Sequence, residues 1–184
     1  HFWLWRKQMA ERIARDLDHR RLGVEALYLV GSVKNAIAGP ASDIDLMVHF
    51  RGDEDRRRAL LDWMDGWSLC LAEMNYLRTG YRTDGLLDVH VITDEDIARW
   101  GAEIVAEAHG RWDLVKVVVA HRTGSLQVGE ISVGVAVGSA HRAAAFGGGR
   151  YIIDELKARV PIWKKEHWPG GAEWVREDLQ HQES

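Results

Sequence analysis

The sequence has few of the residues that mark secreted and membrane proteins. Its 184 residues include one cysteine, Cys70, and three prolines. One cysteine excludes an intrachain disulfide, so we expect a reducing, cytoplasmic setting in which Cys70 is a buried, inert thiol. No run approaches the roughly 20 apolar residues of a membrane-spanning helix. The start, HFWLWRK, lacks the charge order and length of a signal peptide, and beginning with His1 rather than Met leaves open that residues precede it.

An excess of positive charge is also absent. The 24 Lys and Arg residues against 28 Asp and Glu residues give a formal net charge of -4, which argues against a generally basic surface for nucleic acid. The apolar fraction of 46% is ordinary for a globular protein, so we expect a folded chain. We find no internal repeat and no low-complexity linker. Two domains would therefore be joined tightly, near residues 93–100.

Apolar periodicity predicts helices and strands in the first half. Trp5, Met9, Ile13 and Leu17 recur every four positions, which is typical of an amphipathic helix. EALYLVG and SDIDLMVHF have the composition of neighbouring strands, and the second alternates apolar residues with others. GDEDRRR opens a long helix to about residue 78, with Gly66 as a possible interruption. LLDVHVIT is the next predicted strand.

The second half continues the same α/β pattern. Thr93 is a predicted N-cap for the helix in TDEDIARWGAEIVAEAHGRW. Two strands follow, LVKVVVAHR and EISVGVAVGS, joined by the turn TGSLQVG. A last helix spans about residues 140–160 and must stop near Pro161. Three glycines, Gly147 to Gly149, fall inside it, and each costs about 1 kcal/mol relative to alanine, so we expect a softened helix.

Three aspartates form the first candidate site. In a strand, residues i and i+2 point to one face, so Asp43 and Asp45 present two carboxylates side by side. Such a pair also fits a solvated strand edge. Asp88 adds a third carboxylate if its strand lies beside the first. Three converging carboxylates repel unless divalent cations neutralise them, and oxygen ligands suit Mg²⁺. Gly31 and Ser32, at the end of the preceding strand, are a plausible cradle for phosphate oxygens.

The order of these elements is strand, Gly-Ser, ten residues, Asp-x-Asp, helix, and a strand with one aspartate. It resembles the small nucleotidyltransferases of the polymerase-beta superfamily, over residues 1–97. The resemblance implies that Asp43 and Asp45 hold Mg²⁺ ions carrying a nucleoside triphosphate such as ATP. Asp88 would complete the metal site and help to activate an acceptor hydroxyl. The residues that would bind the nucleotide are Gly31, Ser32 and Lys34, the last in place of an arginine of many relatives.

A basic cluster forms the second candidate site. Between His141 and His167, six positive residues face three acidic ones, a local surplus of +3. The positive residues are Arg142, Arg150, Lys157, Arg159, Lys164 and Lys165. A solvated helix face explains such a cluster, but lysines crowded by other cations can also become nucleophiles or bases.

Three segments resemble the C-terminal half of the large, catalytic subunit of molybdopterin synthase. They are HRTGSLQVGEISVGVAVGSAHRAAAF, YIIDELKARVPIWKKE and WPGGAEWV. The resemblance covers about residues 97–175. It implies sulfur transfer from the thiocarboxylated C-terminal glycine of a small ubiquitin-like partner to a cyclic pyranopterin monophosphate. Lys157 and Lys164 would be the catalytic lysines. The substrate-binding residues would be His141, Arg142 and Lys165. Nothing in the first half matches the N-terminal half of that family.

We therefore expect an α/β protein of two fused domains. Residues 1–97 would be a nucleotidyltransferase-like domain with a mixed sheet and flanking helices. Residues 98–184 would be an N-terminally incomplete synthase-like domain, which could also form a homodimer. Two alternatives stay open at this point: only one half is active, or the chain is a non-catalytic, antitoxin-like binding protein. Nucleic acid and membrane are not expected partners.

Overall fold

The computed structural model describes residues 1–122, 127 and 130–160, and the backbone of two strands at 164–168 and 171–175. The chain divides into two compact units, His1–Asp94 and Glu95–Ser184, here unit 1 and unit 2. The domain boundary predicted after residue 97 stays a prediction. Across the described part of the chain, no helix combines the length and apolar composition that crossing a bilayer requires.

Unit 1 is built around a three-stranded mixed sheet. Its elements, in chain order, are α1 (Phe2–Asp16), α2 (His19–Leu22), β1 (Val24–Leu29), α3 (Gly31–Lys34), β2 (Ile44–Phe50), α4 (Glu54–Thr79) and β3 (Leu87–Ile92). The central strand, β2, is antiparallel to β1 and parallel to β3. Because parallel neighbours need a long crossover, the chain passes through α4 between β2 and β3.

The alternation predicted for β2 is confirmed. Ile44, Leu46 and Val48 are fully buried in the core of unit 1, to which α1 and α4 also contribute. Since successive side chains in a strand point to opposite faces, the residues between them belong to the other face of the sheet. That face carries Asp45 and His49, so the sequence pattern that builds the core also places the candidate site.

The long helix α4 corrects two expectations. It runs from Glu54 to Thr79 without a break at Gly66. The side chain of Asp53 caps its N-terminus by accepting a hydrogen bond from the Arg56 N–H at 2.9 Å. Cys70 is exposed, so the prediction of a buried thiol is wrong. The neighbouring Leu71 is fully buried, and the helical turn leaves Cys70 on the outer side.

Unit 2 consists of helices and two antiparallel strand pairs. Its elements are α5 (Asp94–Arg111), β4 (Lys116–His121), β5 (Val133–Gly138), α6 (Arg142–Arg159), β6 (Lys164–Trp168) and β7 (Gly171–Val175). Strand β4 pairs with β5 and β6 with β7, both antiparallel. Most of the predicted turn TGSLQVG lies outside the described residues. Buried side chains of α5 and α6, such as Ile104 and Ile152, form the core.

Helix α6 is continuous through its three glycines. The expected softening stays a prediction. A Cβ at Gly147 would lie 2.7 Å from Nε1 of Trp112, and one at Gly148 would lie 2.9 Å from Cδ1 of Leu114. The glycines therefore let the helix approach the segment before β4 more closely than any other residue would allow. The helix ends at Arg159, before Pro161, as predicted.

Candidate functional site

The structure places two of the three aspartates side by side. In the parallel pairing of β2 and β3, Asp45 is the register partner of Asp88. The residues flanking them in the two strands, Leu46 and Val89, belong to the core side. The two carboxylates therefore lie on the same, opposite face of the sheet, on adjacent strands. The condition that the sequence left open, adjacency of the two strands, is met.

Gly31 lies directly against Asp45. Its backbone is left-handed, with φ 66°, and a Cβ at this position would lie 2.0 Å from Oδ2 of Asp45. The neighbouring Val30 N–H donates a hydrogen bond to the Asp45 carbonyl oxygen at 2.9 Å. Only glycine satisfies both the backbone conformation and the contact with the carboxylate. The Gly-Ser turn and the aspartates are thus parts of one site.

Asp43 is coupled to both partners through space. It precedes β2 and is exposed as a residue. Partial burial of its carboxyl group raises its pKa, and the carboxylates of Asp45 and Asp88 raise it further, whereas Arg6 lowers it. A raised pKa means that the ionised carboxylate is held at a cost in free energy. The three acidic groups therefore repel one another in the free protein.

The donor set suits a hard divalent cation. The carboxylates of Asp45 and Asp88 raise the pKa of Asp43, and clustered carboxylates of this kind are the oxygen ligands that Mg²⁺ prefers. Within the described residues, however, no group of three His, Cys, Asp or Glu side chains is already arranged around one point for a metal ion. His90 Nε2 lies 3.2 Å from Oδ2 of Asp88. Binding a cation would therefore require side chains to rearrange, that of Asp88 among them.

The predicted phosphate-binding residues line the turn beside these carboxylates. Ser32 and Lys34 belong to the short helix α3, which begins at Gly31. The Ser32 carbonyl oxygen accepts a hydrogen bond from the Ile37 N–H at 3.0 Å, which closes the turn. Lys34 is exposed. The Ser32 hydroxyl and the Lys34 ammonium group thus belong to the short helix whose first residue, Gly31, lies against Asp45.

Sequence reasoning missed a polar cluster at the far end of β2. His49, which is buried, lies 2.8 Å from Oδ1 of Asp94, and Arg51 donates to both carboxylate oxygens of Asp94. Burial acts to raise the pKa of Asp94, but the hydrogen bonds from His49 and Arg51 outweigh it and hold that pKa below its usual value. Asp94 is the first residue of α5. The cluster therefore links the end of β2 to Asp94, the last residue of unit 1.

The residues predicted for the second site are not all brought together. His141 is the N-cap residue of α6 and Arg142 its first residue, whereas Lys157 lies in its last turn. Fifteen residues at 1.5 Å rise separate Arg142 from Lys157 by about 22 Å along the helix axis. The roles predicted for Lys164 and Lys165 lie outside the described side chains, although both residues belong to β6. One copy of α6 therefore cannot place Arg142 and Lys157 in one small pocket.

Part of the predicted basic cluster is neutralised by acids. Arg159 donates to both carboxylate oxygens of Glu107, at 2.9 and 2.8 Å, and Tyr151 donates its hydroxyl proton to the same carboxylate. These hydrogen bonds, that of Tyr151 first, lower the pKa of Glu107. Arg150 lies 3.5 Å from Asp154. Counting charges along α6 missed Glu107, because it lies on α5.

Family models match both halves of the chain. The family model described as "Nucleotidyltransferase domain" matches residues 10–113, more than half of the chain. The model described as "MoaE protein" matches residues 90–159. The two matches share residues 90–113, which contain the end of β3 and all of α5 up to Arg111. Both resemblances read from the sequence motifs are thereby confirmed.

Curated relatives match the second half. The molybdopterin synthase catalytic subunit of Salmonella typhimurium is 53% identical over 74 residues, which are 40% of this chain and 49% of that protein. The subunit of Nostoc sp. is 53% identical over 75 residues, 40% of this chain and 46% of its own length. That of Bacillus subtilis is 42% identical over 79 residues, 43% of this chain and 50% of its own. The chain thus spans about half the length of the curated relatives it matches.

Proposed function

The chain belongs to the nucleotidyltransferase domain family, and on that premise we propose that unit 1 transfers a nucleotidyl group from a nucleoside triphosphate to an acceptor hydroxyl. The observation that carries the proposal is the register pairing of Asp45 with Asp88. It gives the two parts of the motif, more than forty residues apart in sequence, one common face. Asp43 extends the group, since its pKa responds to both of them.

Each residue has a proposed role. Asp43, Asp45 and Asp88 would hold Mg²⁺, which on binding would neutralise charge on the triphosphate and on the leaving pyrophosphate. Gly31 gives the phosphates close access to the backbone beside Asp45, because no side chain intervenes. The Ser32 hydroxyl and the Lys34 ammonium group would donate hydrogen bonds to phosphate oxygens.

The reaction is an in-line displacement at the α-phosphorus. The acceptor oxygen bonds to phosphorus as the bond to the pyrophosphate oxygen breaks. The proton of the acceptor hydroxyl passes to a carboxylate, for which Asp88 is the proposed base because it is exposed on β3. Repulsion among the three aspartates favours uptake of a cation.

The test is transfer of label from α-phosphate-labelled ATP, GTP, CTP or UTP in the presence of Mg²⁺. We expect label on the protein or an added acceptor, with release of pyrophosphate, and loss of both in Asp45→Asn. The control is Asp62→Asn, which removes an exposed carboxylate from α4. Failure of the parent protein to transfer any of the four nucleotides would refute the proposal, and so would full activity in Asp45→Asn.

For unit 2 we propose a second function, the sulfur transfer of a molybdopterin synthase catalytic subunit. The observation that supports this proposal is the 53% identity over 74 residues to such a subunit. A small ubiquitin-like sulfur carrier would be the partner. Lys157 and Lys164 would be catalytic, and His141, Arg142 and Lys165 would bind the anionic pterin. Because Arg142 and Lys157 lie at opposite ends of α6, one pocket would need a residue from a second copy.

This second function has its own test. The protein is offered a thiocarboxylated small subunit and the pterin precursor, and formation of molybdopterin is measured. We expect product with the parent chain and none with Lys157→Ala, whereas Lys116→Ala, an exposed lysine on β4, leaves it unchanged. Binding of the carrier without product would identify unit 2 as a docking module. Neither binding nor product would refute the second function.

A further inference from the structure

Arg6 is the one arginine among the fully buried large side chains of the described residues. It lies on α1, far in sequence from the aspartates. The apolar spacing of that helix did not predict that Arg6 is buried. Burying a guanidinium group is costly unless its N–H donors are satisfied. The contacts of Arg6 therefore indicate what the structure gains from burying it.

Those contacts converge on the loop that leads into Asp43. The Arg6 Nε donates to the Ser42 carbonyl oxygen at 3.0 Å, and Nη2 donates to the Pro40 carbonyl oxygen at 3.0 Å. The third nitrogen, Nη1, donates to the Phe2 carbonyl oxygen at 2.9 Å, within α1. Asp43 follows Ser42 directly. Two of the three nitrogens of one side chain thus fix the three residues before the aspartate.

Asn75 on α4 completes the clamp. Its Oδ1 accepts a hydrogen bond from Arg6 Nη2 at 2.8 Å, and its Nδ2 donates to the same Pro40 carbonyl oxygen at 3.1 Å. Asn75 is fully buried as well. The loop also closes on itself, since the Gly39 N–H donates to Ser42 Oγ at 2.9 Å. Two helices thereby hold one backbone segment through side chains that are otherwise out of contact with solvent.

The geometry points to Arg6, together with Asn75, as the positioning residue that fixes Asp43 at the metal site. This inference rests on the proposed nucleotidyl transfer by unit 1 and assigns a residue that acts through Asp43. A planar guanidinium group reaches several carbonyl oxygens in fixed directions, which a lysine ammonium group cannot do.

The test is the affinity of the full-length chain for Mn²⁺, used in place of Mg²⁺ and measured by the electron paramagnetic resonance signal of the free ion. We expect Arg6→Lys and Asn75→Ala to weaken binding by about 10- to 100-fold, the range found when groups that orient metal ligands are removed. Arg6→Lys keeps the charge, so its effect isolates the lost geometry. In both variants the amides of Gly39 and Ser42 should exchange hydrogen faster than in the parent.

Two controls separate positioning from general loss of stability. Arg12→Met removes an exposed arginine from the same helix, where it pairs with Asp16 at 2.8 Å. Leu22→Ala removes a fully buried core side chain of unit 1 and lowers stability without touching the clamp. Both should bind Mn²⁺ like the parent, and Leu22→Ala should do so even at a melting temperature as low as that of Arg6→Lys.

The outcomes distinguish the two proposals. Parent-like Mn²⁺ binding in both Arg6→Lys and Asn75→Ala would overturn the role of Arg6 and leave the proposed function intact. Equal weakening in Leu22→Ala would overturn it too, because loss of stability would then explain the effect. A parent chain that binds no Mn²⁺ and transfers no nucleotide would overturn the proposed function itself, and the positioning role with it.

Discussion

The two units treat their carboxylates in opposite ways. In unit 1, Asp43 has a raised pKa because burial and the neighbouring aspartates disfavour its charge. In unit 2, Glu107 has a lowered pKa because Tyr151 and Arg159 donate hydrogen bonds to it. One group is held at a cost in free energy and the other is satisfied by partners within its own unit. Repulsion among clustered carboxylates therefore favours a bound cation, and complete pairing indicates a structural contact.

The close contacts of glycines also differ between the two units. Gly31 makes room for the Asp45 carboxylate, whereas Gly147 and Gly148 make room for Trp112 and Leu114. In unit 1 the absence of a side chain leaves space for a carboxylate of the candidate site. In unit 2 it serves packing between α6 and the segment that precedes β4.

The largest expected effect is that of Gly31→Ala. Its Cβ would meet Asp45 Oδ2 at 2.0 Å and the residue would keep a left-handed φ, so we expect a loss of at least about 2 kcal/mol in the free energy of unfolding. Metal-dependent transfer should disappear with it. Chemical denaturation and the transfer assay measure both.

The matched control for Gly31→Ala is Gly66→Ala. Gly66 lies inside α4, and among the described residues no atom beyond the local helix lies within 4 Å of a Cβ at this position. We expect a gain of about 1 kcal/mol, the ordinary preference of a helix for alanine. A parent-like Gly31→Ala protein would break the claim that this glycine belongs to the site.

A smaller effect is expected for Gly147→Ala in unit 2. The added Cβ approaches a side chain, Trp112, which can shift, so the expected loss of stability is about 1 to 2 kcal/mol. Gly101→Ala on α5, where the described residues leave open space, should instead be stabilising by about 1 kcal/mol. Denaturant unfolding of both variants checks the contrast. Nucleotidyl transfer should stay at the parent level in both, which would separate packing glycines from the glycine of the site.

The smallest effects are those of pH. The raised pKa of Asp43 destabilises the metal-free protein above that pKa, and the penalty disappears as the pH falls through it. The lowered pKa of Glu107 contributes stability above the usual range of a glutamate, and this is lost as the pH falls through the lowered value. At neutral pH, Asp43→Asn should thus raise the melting temperature and Glu107→Gln should lower it.

Both differences should shrink on acidification. Thermal unfolding without divalent cations, from neutral pH to the acid range, measures them. If both variants raised the melting temperature at neutral pH, or both lowered it, the contrast between Asp43 and Glu107 would be contradicted.

Much of the fold was predictable because it follows from local periodicity. The four-residue spacing in α1 and the alternation in β2 report which side chains face the core, and the structure bears out both elements. The exposure of Cys70 and the packing role of the glycines in α6 were not predicted. Exposure of one helical residue depends on which face the neighbouring elements cover, and the glycines of α6 are explained by contacts with Trp112 and Leu114.

The sequence alone identified the residues of the first candidate site. Gly-Ser, the Asp-x-Asp pair and a third aspartate on a later strand supply carboxylates and a phosphate-binding turn, and their order along the chain is enough to predict that use. It could not decide that Asp45 and Asp88 are neighbours, since this depends on the pairing of two strands separated by α4. It also gave no sign that Arg6 is buried against the loop before Asp43. Only tertiary structure decides such contacts, because hydrogen bonds between distant segments leave no periodic trace in the chain.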